Sequence, residues 1–316
     1  MTMKAAELQQ ALSGVEVSDP VTVGRLQVFG LRWAVSNALV YVTLDEALTD
    51  EILEITEVSE SGNVPTLAVI NKSNIMVFLM AGEQLIGAKQ NRVLNVSIMI
   101  AANSKVPIPV SCVEQRRWNY VSRKFSSTQT VSHSILRKQM AKDVHESYRR
   151  NRRPASKQGE VWNEVSRKLG SMGSRSGSEA LEQVYQDRHT EMEKIIQEIR
   201  IPEDWCGAVF AFDGKIAGMD IFDKPATLSK LMPKLVKSYA IDSLEKVNEA
   251  AASRSVDSEN VKNWLRSLAE AKFDPFESPG IGTDIRIKSK ELVGDSLVVE
   301  GCPVHVELFS EDLPSV

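Results

Sequence analysis

The sequence predicts an α+β fold: an antiparallel β-rich N-terminal half, a basic helical middle segment and a mixed α/β C-terminal part. Three observations lead there. Apolar residues between positions 20 and 115 recur with a period near two, in short runs separated by short loops. The stretch 134–199 carries helical spacing, and its first part belongs to the strongly cationic run 116–168. The last third places an Asp213-Gly214 turn between two alternating apolar runs, then helices, then strands again.

Taken in order, residues 2–12 read as a short helix and 21–33 as a strand carrying Val21, Val23, Leu26 and Val28. Strands are expected at 39–43, 65–70, 75–80, 93–101 and 106–113, with a helical or irregular turn over 44–48. Segment 119–132 is polar, and helices follow over 134–150 and 159–169, joined by a basic linker that contains Pro154. The glycine- and serine-rich run 170–177 reads as a connector. Residues 178–199 read as one amphipathic helix, with Leu181, Val184, Met192, Ile195 and Ile196 on one face. A hairpin at 208–222 precedes helices at 227–251 and 259–271, the second capped by Asp257 or Ser258. Strands over 284–309 complete the chain. The parts 1–118, 119–200 and 201–316 are expected to form one globular unit.

Composition narrows the class. No run of about 18 apolar residues predicts a membrane span, and the N-terminus lacks the apolar core of a signal peptide. Cys112, Cys206 and Cys302 lie about 95 residues apart with no CxxC pair, so no disulfide framework is expected and the cytoplasm is the expected compartment. Between residues 116 and 168, 14 Lys and Arg face four acids, a local charge of +10 within a chain of net −4. Such asymmetry points to an anionic partner or, equally, to a solvated basic face. The four histidines, His133, His145, His189 and His305, lack metal-ligand spacing, so no zinc site is expected.

No phosphate loop, dinucleotide fingerprint, zincin or nucleophile-elbow motif occurs. Instead, polar residues crowd the ends of apolar strands. One group is Gly82, Glu83, Gly87, Lys89, Gln90, Asn91 and Arg92; the other is Cys112, Glu114, Gln115, Arg116, Arg117 and Trp118. Charges beside core strands must pair with each other or bind something. If the groups converge, Glu83 and Glu114 are the candidate acid and base. Lys89, Arg92 and Arg117 are the candidate anion binders, Gln90, Asn91 and Gln115 the orienting amides, and Trp118 the stacking face. The competing reading is a set of structural ion pairs at strand ends, with Trp118 in a seam and Cys112 a small buried apolar residue. Gln158 and Trp162, on a helix, either cover this site or anchor the helix to the core. His305, between Val304 and Val306, either joins the site or is a satisfied core histidine.

Three runs carry a family resemblance: GEQLIGAKQNRVLN from Gly82, VPIPVSCVEQRRW from Val106, and QGEVW from Gln158. With GKIAGMDIFDKP, SYAIDSL and the segment around His305, they resemble the ADP-ribosylglycohydrolase- and rhodanese/phosphatase-associated protein domain, ARPP, over residues 20–309. That resemblance implies a setting in NAD-derived or ADP-ribose metabolism. The sequence departs from the family pattern at Ala81 and Gln84, where acids are usual, and at Arg116, where a small residue is common. Fewer carboxylates and an added cation weaken a metal-dependent mechanism. The leading expectation is binding and hydrolytic processing of an ADP-ribose-like or other nucleotide ligand, with no cofactor assigned. The alternatives are a nucleic-acid-binding protein acting through the basic segment, and a noncatalytic partner module of a defence or stress complex.

Overall fold

The computed structural model describes residues 5–35, 38–246 and 254–313. Positions 2–4 of the first expected helix, and 247–251 of the helix expected over 227–251, lie outside them.

The fold is α+β, built on antiparallel sheets. The hairpin of β1 (Glu16–Val23) and β2 (Leu26–Arg32) opens an eight-stranded sheet. It continues through β12 (Gly207–Phe212), β13 (Lys215–Phe222), β17 (Cys302–Ser310), β16 (Leu292–Val299), β15 (Thr283–Lys288) and β14 (Lys272–Glu277). The pairing of β2 with β12 joins the N-terminal hairpin to the C-terminal strands. A six-stranded sheet runs β11 (Phe125–Val131), β7 (Glu83–Gly87), β8 (Arg92–Leu94), β10 (Ser104–Cys112), β5 (Thr66–Asn71) and β4 (Leu53–Glu57). A small sheet holds β3 (Tyr41–Thr43), β6 (Met76–Leu79) and β9 (Ile98–Ile100), where β3 and β6 are parallel.

Period-two alternation sorts the large sheet's faces. Phe29, Leu31, Val209, Ala211, Met219 and Ile221 pack under α1 (Ala5–Ser13) and α8 (Ser258–Arg266). Val28, Ala208, Phe210 and Ala217 point the other way, toward α7 (Pro225–Ser243). Pro225 occupies the first turn of α7, where its fixed φ and missing N–H do no harm. α3 (Ser134–Asn151), α4 (Gln158–Met172), α5 (Glu182–Asp187) and α6 (His189–Glu198) share another core with Val93 and Val113.

Several elements differ from expectation for local reasons. Expected strand 93–101 divides between two sheets, β8 and β9. Expected helix 178–199 divides at Arg188, whose φ −107 and ψ 13 leave helical geometry. Expected strand 21–33 is a hairpin turning at Gly24, and the apolar-poor β7, β11 and β14 are additional strands.

Buried charge organises the centre. Asp220, Glu307, Asp295 and Arg286 face one another across β13, β17, β16 and β15. Arg137 of α3 reaches this row: it donates to Asp220, and to Glu307 at 2.7 Å. His305 belongs here too, bonded to Asp220 at 3.1 Å and Ser97 at 2.8 Å and stacked on Phe222. Nearby, α4 and α7 are tied by Lys168 to Asp242 and Glu245, with His133 between Asp242 and Glu164.

One carboxyl gives a pH-dependent prediction. Burial raises the Glu182 pKa to about 7, against a weaker lowering by the hydroxyl of Thr130. A raised acid pKa means that folding favours the protonated form, so this stability is complete below the unfolded pKa, about 4.3, and is lost as pH rises to about 7. Glu182→Gln is therefore expected to match the parent near pH 4 and to exceed it by about 1–2 kcal/mol at pH 8, measured by urea denaturation at both pH values.

Candidate functional site

The two polar groups singled out in the sequence meet because β8 pairs with the end of β10, placing Arg92 opposite Cys112. Gly87, at φ +126, lets the chain leave β7 tightly: a Cβ there would stand 2.6 Å from Ser122 Oγ and 2.8 Å from the Lys124 carbonyl. Ala88 follows at φ 40, a left-handed conformation that costs a non-glycine residue energy. Its carbonyl accepts from Val121 N–H and Arg117, which hold it there.

Glu114 and Arg117 form the hub. Arg117 Nε and Nη2 donate to the Glu114 carboxylate at 2.9 and 2.6 Å. Its other N–H groups go to the carbonyls of Gly87, Ala88 and Asn119 and to Asn91 Oδ1. A guanidinium has five N–H donors, and all are spent here. Glu114 also accepts from Asn91 N–H at 3.0 Å, and its carbonyl accepts from Gln90 Nε2. Burial opposes ionisation of Glu114, but bonds from Arg117, Ser178 and Asn91 outweigh it and hold the carboxyl below its ordinary range. The pair is a closed brace.

Arg92 differs. It is fully buried, and Nη1 donates to Gln90 Oε1 at 3.0 Å. Nε and Nη2 have no hydrogen-bond partner, and neither does either carboxylate oxygen of Glu57, 3.7 Å away. Burial pulls the Arg92 pKa down, against Cys112 and Glu57. Burial pushes the Cys112 thiol up, and that thiol donates to the Glu114 carbonyl. Gln158 closes the inner side, its amide exchanging two 2.8 Å bonds with the Cys112 backbone. Trp162, half-buried one turn along α4, turns its indole N–H inward without an oxygen partner.

The outer side is aromatic. Trp118 and Tyr120 are 46% and 47% exposed, so both residues are partly open to solvent. The Lys89 ammonium lies 5.3 and 5.0 Å from their centroids and donates to the Ser61 carbonyl at 2.8 Å. Arg92 Cζ sits 5.7 Å from the Trp118 ring. Beside them runs a cleft of about 910 Å³ lined by Thr56, Glu57, Glu60, Tyr120, Val121 and Arg123 among others. An apolar groove of about 840 Å³ between α1 and α8 carries none of the motif residues.

The structure thus brings together Lys89, Gln90, Asn91, Arg92, Glu114, Arg117, Trp118, Gln158 and Trp162. Gln115 is exposed beside them. It does not bring in Glu83, which sits at the far end of β7, about 13 Å from Gly87 at roughly 3.3 Å per residue. Glu83 is 1% exposed there, bonded to Lys234 Nζ at 2.5 Å and to Met80 N–H at 2.8 Å. His305 is likewise elsewhere, in the buried row. The pairing of Glu83 with Glu114 as acid and base is therefore not assembled, because each carboxylate is closed by its own cation, Glu83 by Lys234 and Glu114 by Arg117.

Glu57 and Tyr120 enter the site without having been singled out. The signal for Glu57 was its register: Leu53, Ile55 and Glu57 share one face of β4, and the first two are buried. A carboxylate on an inward position must be paired or used.

The basic segment spends most of its charge internally. Arg116, Arg117, Lys124, Arg137, Lys138, Lys142, Lys157, Arg167 and Lys168, nine of the 14 cations, pair with carboxylates. Among the described residues, Arg123, Arg149, Arg150, Arg152 and Arg153 show no ion pair. No described helix is long and apolar enough to cross a membrane, and no cluster of three His, Cys, Asp or Glu side chains among the described residues is placed to hold a metal.

No curated protein and no solved structure matches the chain. One family model does, the ARG and Rhodanese-Phosphatase-superfamily-associated Protein domain, and it covers residues 14–309, taking in both halves of the cleft and the helix behind it. The chain belongs to the ARPP-1 family.

Proposed function

We propose that the cleft walled by Tyr120 and Arg123, with Trp118 beside it, binds a nucleotide-type ligand, with ADP-ribose as its representative. The observation that carries this reading is a pair of half-exposed aromatic rings with one ammonium against both, beside an open cleft of about 910 Å³. Aromatic faces stack on bases, and a lysine beside them balances phosphate charge. Lys89 has two N–H groups beyond its bond to Ser61, and Arg123 adds a second cation to the cleft wall. The family's association with ADP-ribosylglycohydrolases supports the same ligand class.

The role assigned to each residue follows from its unspent bonding capacity. Trp118 and Tyr120 stack, Lys89 and Arg123 meet phosphate, and Glu114, Arg117, Asn91, Gln90 and Gln158 hold the frame. The reading is of binding; a hydrolytic step needs a carboxylate free to take or give a proton, and of those named Glu57 and Glu60 line the cleft.

Isothermal titration with ADP-ribose and NAD tests it. Trp118→Ala is expected to weaken ADP-ribose binding about 10-fold or more, since stacking contributes roughly 1–3 kcal/mol per base. Stability should change little, because the ring is half exposed. No heat with either ligand, or equal affinity in the variant, sinks the proposal. Retention on nucleic acid with a steep salt slope would favour the five unpaired arginines instead.

A further inference from the structure

We propose that Glu57 and Arg92 form a donor–acceptor floor that reads the cis-diol of a ribosyl group. This rests on the nucleotide reading above and names the part of the ligand that the floor selects. Three carboxylate–cation pairs lie along β7 and its neighbours. In Glu114–Arg117 every guanidinium N–H is taken. In Glu83–Lys234 both carboxylate oxygens are bonded. In Glu57–Arg92, four buried atoms have no hydrogen-bond partner: Glu57 Oε1 and Oε2, and Arg92 Nε and Nη2. The two groups stand 3.7 Å apart, too far to satisfy each other by a hydrogen bond. Buried polar atoms are almost always bonded, so such a set marks a place where something else completes the bonds.

The chemistry of what completes them is restricted. A carboxylate only accepts and a guanidinium only donates. Phosphate offers acceptors alone and is repelled by Glu57; an ammonium offers donors alone and is repelled by Arg92. A hydroxyl does both. Two vicinal hydroxyls place one O–H on each Glu57 oxygen, while their lone pairs accept from Arg92. Carboxylates serve the ribose hydroxyls of dinucleotides in the same manner.

Placement agrees. Glu57 lines the cleft while both its carboxylate oxygens are buried, so a ligand reaches them by parting the cleft wall. The 58–62 loop is tied to the opposite wall by Lys89 Nζ to the Ser61 carbonyl at 2.8 Å and by Tyr120 Oη to the Glu60 carbonyl at 3.3 Å. A sugar entering between Glu60 and Tyr120 replaces the longer of these bonds and meets the Glu57 carboxylate, with Trp118 available to its base.

The test compares ADP-ribose with its two monodeoxy analogues, one lacking the 2-hydroxyl of the adenosine ribose and the other that of the terminal ribose. Equilibrium titration of the full chain is expected to show one analogue weaker by about 10- to 100-fold, the loss of a hydrogen bond to a charged group. In Glu57→Gln that ratio should fall to within about threefold, because the charged acceptor is gone. The wild-type comparison stands on its own should the variant fold poorly. Both analogues binding within twofold of ADP-ribose overturns this inference and leaves the nucleotide reading intact. ADP-ribose failing to bind overturns both.

Discussion

Replacing Arg137 with methionine is expected to cost about 4 kcal/mol of stability, a large share of what a domain of ordinary stability has. The guanidinium is 1% exposed and holds Asp220 and Glu307 together. It also packs over the rings of Phe309 and Tyr239, 5.1 and 5.8 Å from their centroids. Gly82, at φ +82, keeps its backbone against the Arg137 stem, where a Cβ would come within 3.0 Å of Cγ and Cδ. Methionine fills a similar volume but leaves two buried carboxylates on one cross-strand step without a cation. Burial disfavours ionised Asp220, and Arg137 with His305 overcomes this and holds its pKa at about 2. A depressed acid pKa gives stability that is present above the unfolded value, about 3.9, and lost as pH falls toward 2. Denaturation midpoints at pH 7 should therefore show the full loss, and the gap between variant and parent should narrow below pH 4. Adding Asp220→Asn should recover more than about 1 kcal/mol, a coupling that independent sites do not show. A loss under about 1 kcal/mol for Arg137→Met would mean that the row is solvated in a way its burial contradicts.

The charged row explains where sequence reading of the fold reached and where it stopped. Alternation identified β5, β6, β10, β12 and β13, whose apolar residues state their period openly. It could not assign partners. Asp220 reads as an interruption in an apolar strand, and only the register of β13 against β17 shows that Glu307 stands opposite. The same holds for the local charge of the middle segment. Its excess of cations suggested a partner outside the chain, yet Arg137, Lys138, Arg167 and Lys168 meet acids from residue 220 onward or from their own helix. Charge summed along sequence says little about charge at a surface when long-range pairs cancel it. β11, FSSTQTV, lies in a segment that reads only as polar because it carries few apolar side chains; its strand character comes from pairing with β7.

The candidate site was more legible than the fold around it. Polar residues packed densely beside apolar strands are costly, and that cost is visible in one dimension. Hence nine of the residues singled out converge. What could not be read was which pairs would be closed. Glu114, Arg117 and Asn91 share a motif with Lys89 and Arg92, yet the first three use their bonds on one another while Arg92 keeps two donors unspent. Glu57 lies 35 residues before Arg92 in a strand of ordinary composition, and only the fold of β4 onto β5 and β10 brings it to the cleft.

Lys234→Met is expected to cost about 3–4 kcal/mol and to leave ligand affinity unchanged, separating Glu83 from the cleft by experiment. Lys234 is 2% exposed on α7 and bridges Glu83 at 2.5 Å and Asp45 at 2.7 Å. Burial works against its charge, but the two carboxylates outweigh this and raise its pKa. Burial, reinforced by Asp45, also raises the Glu83 pKa in spite of the ammonium, so one cation holds two carboxylates with little to spare. Without it, Glu83 is a carboxylate in the core whose neighbour is another acid. Lys234→Met with Glu83→Gln should regain more than about 1 kcal/mol over Lys234→Met, because the amide carries no charge to strand. Asp45 is 29% exposed, but its Oδ1 is buried without a hydrogen-bond partner, so it shares in the loss. Glu83→Gln by itself should cost less, since Lys234 keeps Asp45. ADP-ribose titration of that variant then decides the role of Glu83: an acid or base at the reacting bond, or a core ion pair one strand-length away. The closed bonding of Glu83 to Lys234 and Met80 predicts unchanged affinity, and a change beyond about threefold would place Glu83 within reach of the ligand after all.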